Sequence, residues 1–248
     1  MTTEQGARGG AAGHAHGADH AHGADHAHGV RGLGHEQVSE NHYTQEFWDE
    51  RYSSTERLWS GQPNPQLVAQ TSGLTPGTAL DAGCGEGADA IWLASRGWTV
   101  TAVDVSAVAL ERAAHHARER GQDVAARIGW QREDLLTWDP GRQRFDLVSA
   151  QFMHMPGELF EGFFRRLTAA VRPGGALLVV GHHPDDVHAN VGRPGHLGMF
   201  PAAQEMAATL DPADWAIEVA DAFARSTTDL DGAPATVKDT VLRATRQR

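Results

Sequence analysis

The stretch Thr78–Gly87, TALDAGCGEG, decides the fold. Its first half is apolar and β-prone and ends on a carboxylate, Asp81. Gly83, Gly85 and Gly87 follow at alternate positions, and a helical pattern opens at once with Ala88, Ala90, Ile91, Leu93 and Ala94. Strand, glycine turn and helix in that order are the nucleotide-binding opening of a doubly wound α/β sheet. The glycines allow backbone angles closed to other residues and let a ligand approach the main chain.

Outward from this stretch the chain alternates strands and helices. Gly97 ends the first helix, and WTVTAVDV, residues 98–105, predicts a second strand finishing at Asp104. Ser106 is a good N-cap for a helix over 107–120 that Gly121 terminates. Asp104 thus stands at a strand tip, where a carboxylate can accept hydrogen bonds from both hydroxyls of a ribose. A third strand is expected over 125–130, with Asp134 and Leu135 beyond it, and a fourth over 145–150 running into Gln151 and His154. A helix over 158–171 stops at Arg172-Pro173-Gly174-Gly175. ALLVVG, residues 176–181, is uniformly apolar, as a buried parallel strand should be, and His182 and His183 follow it. A short helix is expected over 201–210. Residues 215–224 and 236–245, separated by DLDGAP, predict a closing antiparallel hairpin.

Upstream, residues 42–70 carry Tyr43, Phe47, Trp48, Tyr52 and Trp59 close together. They suggest a helix over 45–52 capped from Asn41 or Thr44, a break at Pro63 and a second helix from Pro65. This reads both as an aromatic flap packed on the core and as a lid covering bound ligand with Trp59 and the loop around Asn64. Residues 1–40 are Gly, Ala and His with few large apolar groups, a composition that predicts a disordered tail ahead of one domain over 41–248. The repeat HAHGAD within it sets His14, His16, His20, His22, His26 and His28 in HxH pairs, and imidazoles suit nickel, zinc or copper. A low-complexity linker with no metal role accounts for the same residues.

The chain has 248 residues and a formal net charge of −11, which argues against nucleic acid as a partner. Its single cysteine, Cys84, excludes an intramolecular disulfide and fits a reducing cytoplasm. No apolar run approaches the roughly 20 residues of a membrane span, and no hydrophobic signal core opens the chain, so a cytoplasmic protein is the expectation.

The glycine spacing also suits a dinucleotide. Asp81 tilts the reading away from one, because a carboxylate before the glycines repels a pyrophosphate but can bind an ammonium. Asp134, after the third strand, could accept from an adenine amino group. The motifs LDAGCGEG, TAVDVS, EDLLTW, FDLVSAQFMHMP and VRPGGALLVVG together resemble a class I S-adenosylmethionine-dependent methyltransferase. FWDERY and LWSGQPNP resemble the thiopurine and tellurite-resistance subgroup. The resemblance implies a seven-stranded sheet of order 3-2-1-4-5-7-6 with one antiparallel strand. It implies that Asp81, Gly83 and Gly85 hold the methionine part of the donor and that Asp104 binds the ribose. Val105 and Ser106 would lie beside the adenine, Asp134 and Leu135 on its edge, and Gln151 next to the sulfonium. Cys84, inside the loop, is read as a small buried filler against the donor. Similar sequences follow a thioredoxin-reductase-like flavoprotein domain across a His-rich segment, so a flavoprotein reductase is an implied partner.

The product would be S-adenosylhomocysteine. His154, His182 and His183 project from carboxyl ends of strands and are the candidate bases or acceptor-orienting groups. The subgroup implies a small soft acceptor, a thiol or chalcogen species. Two other readings use the same residues: a metal-handling protein acting through its histidine tail on a non-catalytic scaffold, and a dinucleotide oxidoreductase.

Overall fold

The computed structural model of the chain describes residues 43–191 and 201–248. The tail with its HAHGAD repeat lies outside the described residues. The elements are α1 (Gln45–Ser53), α2 (Pro65–Thr71), β1 (Thr78–Ala82), α3 (Ala88–Ser95), β2 (Thr99–Asp104), α4 (Ala107–Arg120), α5 (Gln122–Ala125), β3 (Ile128–Arg132), β4 (Phe145–Gln151), α6 (Gly157–Ala170), β5 (Val171–His182), a 3-10 turn (Pro184–His188), α7 (Ala203–Ala208), β6 (Trp215–Thr228) and β7 (Pro234–Arg246).

The strands form one seven-stranded sheet in the order β3-β2-β1-β4-β5-β7-β6. β1 to β5 are mutually parallel where they pair, and β7 runs antiparallel to both β5 and β6. The expected architecture and order are therefore observed. Strand alternation explains how the sheet is covered on both faces. Leu80, Ala82, Leu177 and Val179 join Phe163, Phe164 and Leu167 of α6 in one core. Ala79, Leu178 and Val180 join Leu67 of α2, Leu93 of α3 and Leu110 of α4 in the other. Leu80, Leu177, Leu178 and Leu147 are fully buried, so truncating any of them to Ala should cost about 2–5 kcal/mol. By the same alternation Asp81 shares the face of Ala79, towards α2 and α3.

Several boundaries differ from expectation: the hairpin strands run longer, to Thr228 and from Pro234, and two differences lie in the parallel part of the sheet. β3 starts three residues later than predicted, because one more helical turn, α5, follows the Gly121 cap of α4. β5 begins at Val171, which pairs with Phe145, and its register then jumps to Ala176 opposite Leu147. Arg172 to Gly175 form the excursion between those pairs. Arg172 ion-pairs with Asp146 there, and Gly174 takes a φ of 78°. The expected stop at Arg-Pro-Gly-Gly is thus a bulge inside the strand, held at both ends by pairing.

Candidate active site

The carboxyl ends of β1, β2 and β4 converge under α1 and the loop before α2. There they enclose a cavity of about 320 Å³. Gly83, Gly85 and Gly87 all have positive φ, 78°, 51° and 85°. At Gly83 a Cβ would collide with the Met153 side chain, and at Gly85 it would come within 2.9 Å of the Tyr52 hydroxyl. Only glycine lets the loop run under these side chains.

Three carboxylates stand around this turn. Asp81 is 1% exposed, and its Oδ2 has no hydrogen-bond partner among the described residues. Burial, then the neighbouring Asp89 and Asp104, hold its pKa well above the ordinary carboxylate range. Asp89, in the first turn of α3, accepts from the Asn64 N–H at 2.6 Å. Burial pushes its pKa up to about 6. Asp104 accepts from the Gly85 N–H at 2.8 Å and the Ser106 N–H at 2.9 Å. Burial raises its pKa against the opposing pull of those backbone donors. A buried carboxylate oxygen with no partner is costly. Asp81 therefore has the chemistry to take a cationic donor group, and Asp104 sits pre-oriented at the tip of β2.

The roof is tied to the glycine loop by side chains of which sequence reading singled out Tyr52, Trp59, Asn64, Ser106 and Gln151 but overlooked Glu86, Arg112, Asp49 and Asp89. Glu86, 5% exposed, accepts from the Leu58 and Trp59 N–H groups through Oε2, at 3.1 Å each. Its Oε1 meets Arg112 at 3.1 Å, and Arg112 also donates to the Thr55 carbonyl. Trp59 Nε1 donates to the Tyr52 hydroxyl at 3.0 Å. Asn64 caps α2 by accepting from Gln66 and donates to Gln151 at 2.8 Å, and Gln151 donates to Ser149. Asp49 of α1 accepts from the Ser106 hydroxyl at 2.6 Å and the Val108 N–H at 3.2 Å. Glu86 was the detectable one, being a carboxylate inside a glycine turn. Asp49 and Asp89 carry no local signal, because their partners are distant in sequence.

The cavity brings together Trp59, Gly83, Cys84, Gly85, Asp104, Val105, Asp134, Leu135, Gln151, His154 and His182 of the residues singled out from sequence. Asp81 lies behind the loop, buried. Ser106 is fully buried and does not line the cavity; its hydroxyl is engaged with Asp49 and with the Ala109 N–H of α4. Asp134 is exposed at the rim and accepts from Leu136, while Leu135 is buried behind it. The Cys84 thiol is buried, and burial pushes its pKa well up, which suits packing and not nucleophilic attack. His154 and His182 stack at 4.5 Å between ring centroids, and Phe152, at φ 55°, packs on both. His154 Nε2 accepts from the His182 N–H at 3.1 Å, so that nitrogen carries no proton. His183 does not line the cavity and caps the following 3-10 turn through the Asp185 N–H. The described residues contain no group of three or more His, Cys, Asp or Glu arranged to hold a metal, and the tail histidines lie outside them. No helix among the described residues is long and apolar enough to cross a membrane.

Comparison with known proteins agrees with this geometry. Residues 79–175, from the second residue of β1 into β5, match the family model of the methyltransferase domain. The chain is 35% identical over 126 residues to 2-heptyl-1-hydroxyquinolin-4(1H)-one methyltransferase of Mycobacteroides abscessus, covering 49% of this chain and 54% of that protein. It is 28% identical over 155 residues to probable thiol methyltransferase 2 of Arabidopsis thaliana, covering 60% and 66%. The chain thus spans between about half and two thirds of these relatives' own length. Among solved structures, TehB from Haemophilus influenzae superposes with a TM-score of 0.58 at 18% identity, covering 82% of this chain and 67% of that one. The N-methyltransferase NodS from Bradyrhizobium japonicum, with bound S-adenosyl-L-homocysteine, superposes at 0.59 and 17% identity, covering 80% and 96%. At these identities the likeness is one of fold. Residues 79–175 thus match the methyltransferase-domain model, and the sheet around them has the strand order that the sequence resemblance implied.

Proposed function

We propose that this chain transfers a methyl group from S-adenosylmethionine to a small-molecule acceptor, and that the acceptor is a soft nucleophile, a thiol or chalcogen species. The observation that carries the donor half is Asp81. Its buried carboxylate oxygen, without a partner among the described residues, matches the need of an amino-acid ammonium and would repel a pyrophosphate. Asp104 at the tip of β2 suits the ribose hydroxyls, and Val105, Asp134 and Leu135 line the side of the cavity where a purine would lie. Gly83 and Gly85 leave the main chain open to the methionine part. The donor supplies an activated carbon and a neutral leaving group, so the protein's work is alignment and exclusion of water.

The acceptor half rests on what surrounds His154. Its Nε2 lone pair is engaged by the His182 N–H, which suits an acceptor that arrives already ionised. A thiolate does so near neutral pH with little help. The plant relative is named as a thiol methyltransferase, which is consistent. A reductase that keeps a thiol acceptor reduced is the partner this reading calls for. A second reading, an acidic heteroaromatic hydroxyl as acceptor, is favoured by the name of the mycobacterial relative.

Calorimetry with S-adenosylhomocysteine tests the donor; no binding sinks the whole proposal. A methyl-transfer screen over thiols, selenite, tellurite, small phenols and hydroxyquinolones then tests the acceptor. Turnover of thiols above the others is expected. Preference for a hydroxyl acceptor would replace the first reading by the second.

A further inference from the structure

Among the described residues that line the cavity, Arg51 is the one Lys or Arg. It stands in the last turn of α1, where its own carbonyl accepts from the Ser54 hydroxyl at 2.8 Å. Its guanidinium carbon lies 5.9 Å from the centroid of the Trp48 ring. Its Nε is buried and has no hydrogen-bond partner among the described residues, and no carboxylate among them forms an ion pair with it. The other arginine near the roof, Arg112, is taken up by Glu86 and the Thr55 carbonyl. The cavity's carboxylates are likewise engaged: Asp89 by Asn64, Asp104 by Gly85 and Ser106, Asp134 by Leu136.

A cation at a helix C-terminus, or one stacked on an indole, needs only a charge, and a lysine would serve. What arginine adds is a rigid fork of N–H donors that matches a planar anion. Burying one of those donors without an acceptor is unfavourable unless a ligand completes it. We infer that Arg51 is the anion-binding residue of this cavity and takes a carboxylate through its N–H fork. This rests on the donor reading above and adds a recognition element to it. The carboxylate has two sources: the amino-acid end of the donor, or an anionic acceptor.

The test uses the full chain, as wild type, Arg51→Gln and Arg51→Lys, with thermal unfolding recorded for each. Calorimetry compares S-adenosylhomocysteine with 5′-methylthioadenosine, which keeps the nucleoside and thioether but lacks the amino-acid group. Kinetics compare 4-mercaptobenzoate with 4-methylthiophenol, which presents the same aryl thiol without the carboxylate. If the donor is the source, Arg51→Gln weakens S-adenosylhomocysteine roughly ten- to hundredfold and leaves 5′-methylthioadenosine unchanged. If the acceptor is the source, KM rises by a similar factor for the carboxylated thiol alone. Arg51→Lys should fall between wild type and Arg51→Gln in the responding arm, and it stands as the test should Arg51→Gln fail to fold. Indifference in both arms, or equal losses for both adenosyl ligands, overturns the inference. A wild type that binds no S-adenosylhomocysteine sinks the donor reading itself, whereas a binding wild type with an indifferent Arg51→Gln sinks only the role of Arg51.

Discussion

Truncation of Glu86 to Ala tests whether the roof of the cavity is latched to the glycine loop. The side chain is 4% exposed and meets three donors: the Leu58 N–H, the Trp59 N–H and the Arg112 guanidinium. Leu58 and Trp59 are half-buried, so water can reach them in part once the carboxylate is gone. Arg112 is 24% exposed and keeps its bond to the Thr55 carbonyl, so its loss is small. With about 1–3 kcal/mol for each buried donor left unpaired, discounted for that access, Glu86→Ala should cost about 3 kcal/mol. Glu86→Gln keeps one oxygen for the two N–H groups and loses only the ion pair, for about 1 kcal/mol. At about 2–4 °C per kcal/mol for a domain of this size, the alanine variant should melt about 6–12 °C lower. Thermal unfolding gives the total. Amide hydrogen exchange gives the location, because the N–H groups of Leu58 and Trp59 should lose protection while those of Leu177 and Leu178 in β5 keep theirs up to the global limit. S-adenosylhomocysteine affinity should fall as well, because Trp59 and Tyr52 sit over Gly85. If Leu58 and Trp59 exchange in Glu86→Ala as they do in the wild type, the latch does not exist and the hydrogen-bond argument fails.

Three further outcomes follow from the same geometry. Asp104→Ala removes the acceptor of the Gly85 and Ser106 N–H groups and the proposed ribose ligand, so calorimetry should find donor-product binding weaker by about 1–3 kcal/mol; unchanged affinity would contradict the ribose role. Asp89 has its pKa raised from 3.8 to about 6 in the folded chain. Its contribution to stability is therefore fully present below pH 3.8 and is lost as pH rises through 6. Asp89→Asn, which keeps an acceptor for Asn64, should be the more stable protein above pH 6, by up to about 3 kcal/mol. Because Asp89 opens onto the cavity and titrates with Asp81, the measured gain should fall below that ceiling, and parallel melting curves of both proteins from pH 4 to 8 would refute the reasoning. Gly83→Ala forces a Cβ into the Met153 side chain at a φ of 78°, so it should lower the melting temperature and donor affinity together, and the double variant Gly83→Ala, Met153→Ala should recover only the steric part.

The strands and the glycine turn were legible because each rests on local signals, whereas the order of the strands in the sheet came from the resemblance to a family. Those local signals are the apolar runs of β1 and β5, glycines where φ is positive, and caps such as Thr44 and Ser106. The candidate site was legible where a residue's place in a strand determines its role, as for Asp81 and Asp104 at strand tips. It was not legible where two segments meet in space. Ser106 looks like a ligand-facing residue in sequence, yet Asp49, far earlier in the chain, claims its hydroxyl. His154 and His182 look like separate bases, yet they stack on each other. Arg51 reads as one more charge in a helix until the fold turns it towards the cavity.

The manner in which the roof is held has a consequence for how this protein can change. Glu86 grips residues 58 and 59, and Asp89 grips residue 64, through main-chain N–H groups. Every amino acid except proline offers the same N–H. The anchoring side chains belong to the glycine loop and α3, while the anchored segment contributes only its backbone at these points. Side chains along 58–64 are therefore free to be exchanged without undocking the segment, apart from those, such as Trp59 and Asn64, that make bonds of their own. A lineage could recast the lining of its acceptor chamber one residue at a time while the donor half stays assembled. In the laboratory the same arrangement makes residues 58, 60, 62 and 63 the positions to randomise when a new acceptor is sought, with Trp59, Gly61 (φ 72°), Glu86 and Asp89 left untouched.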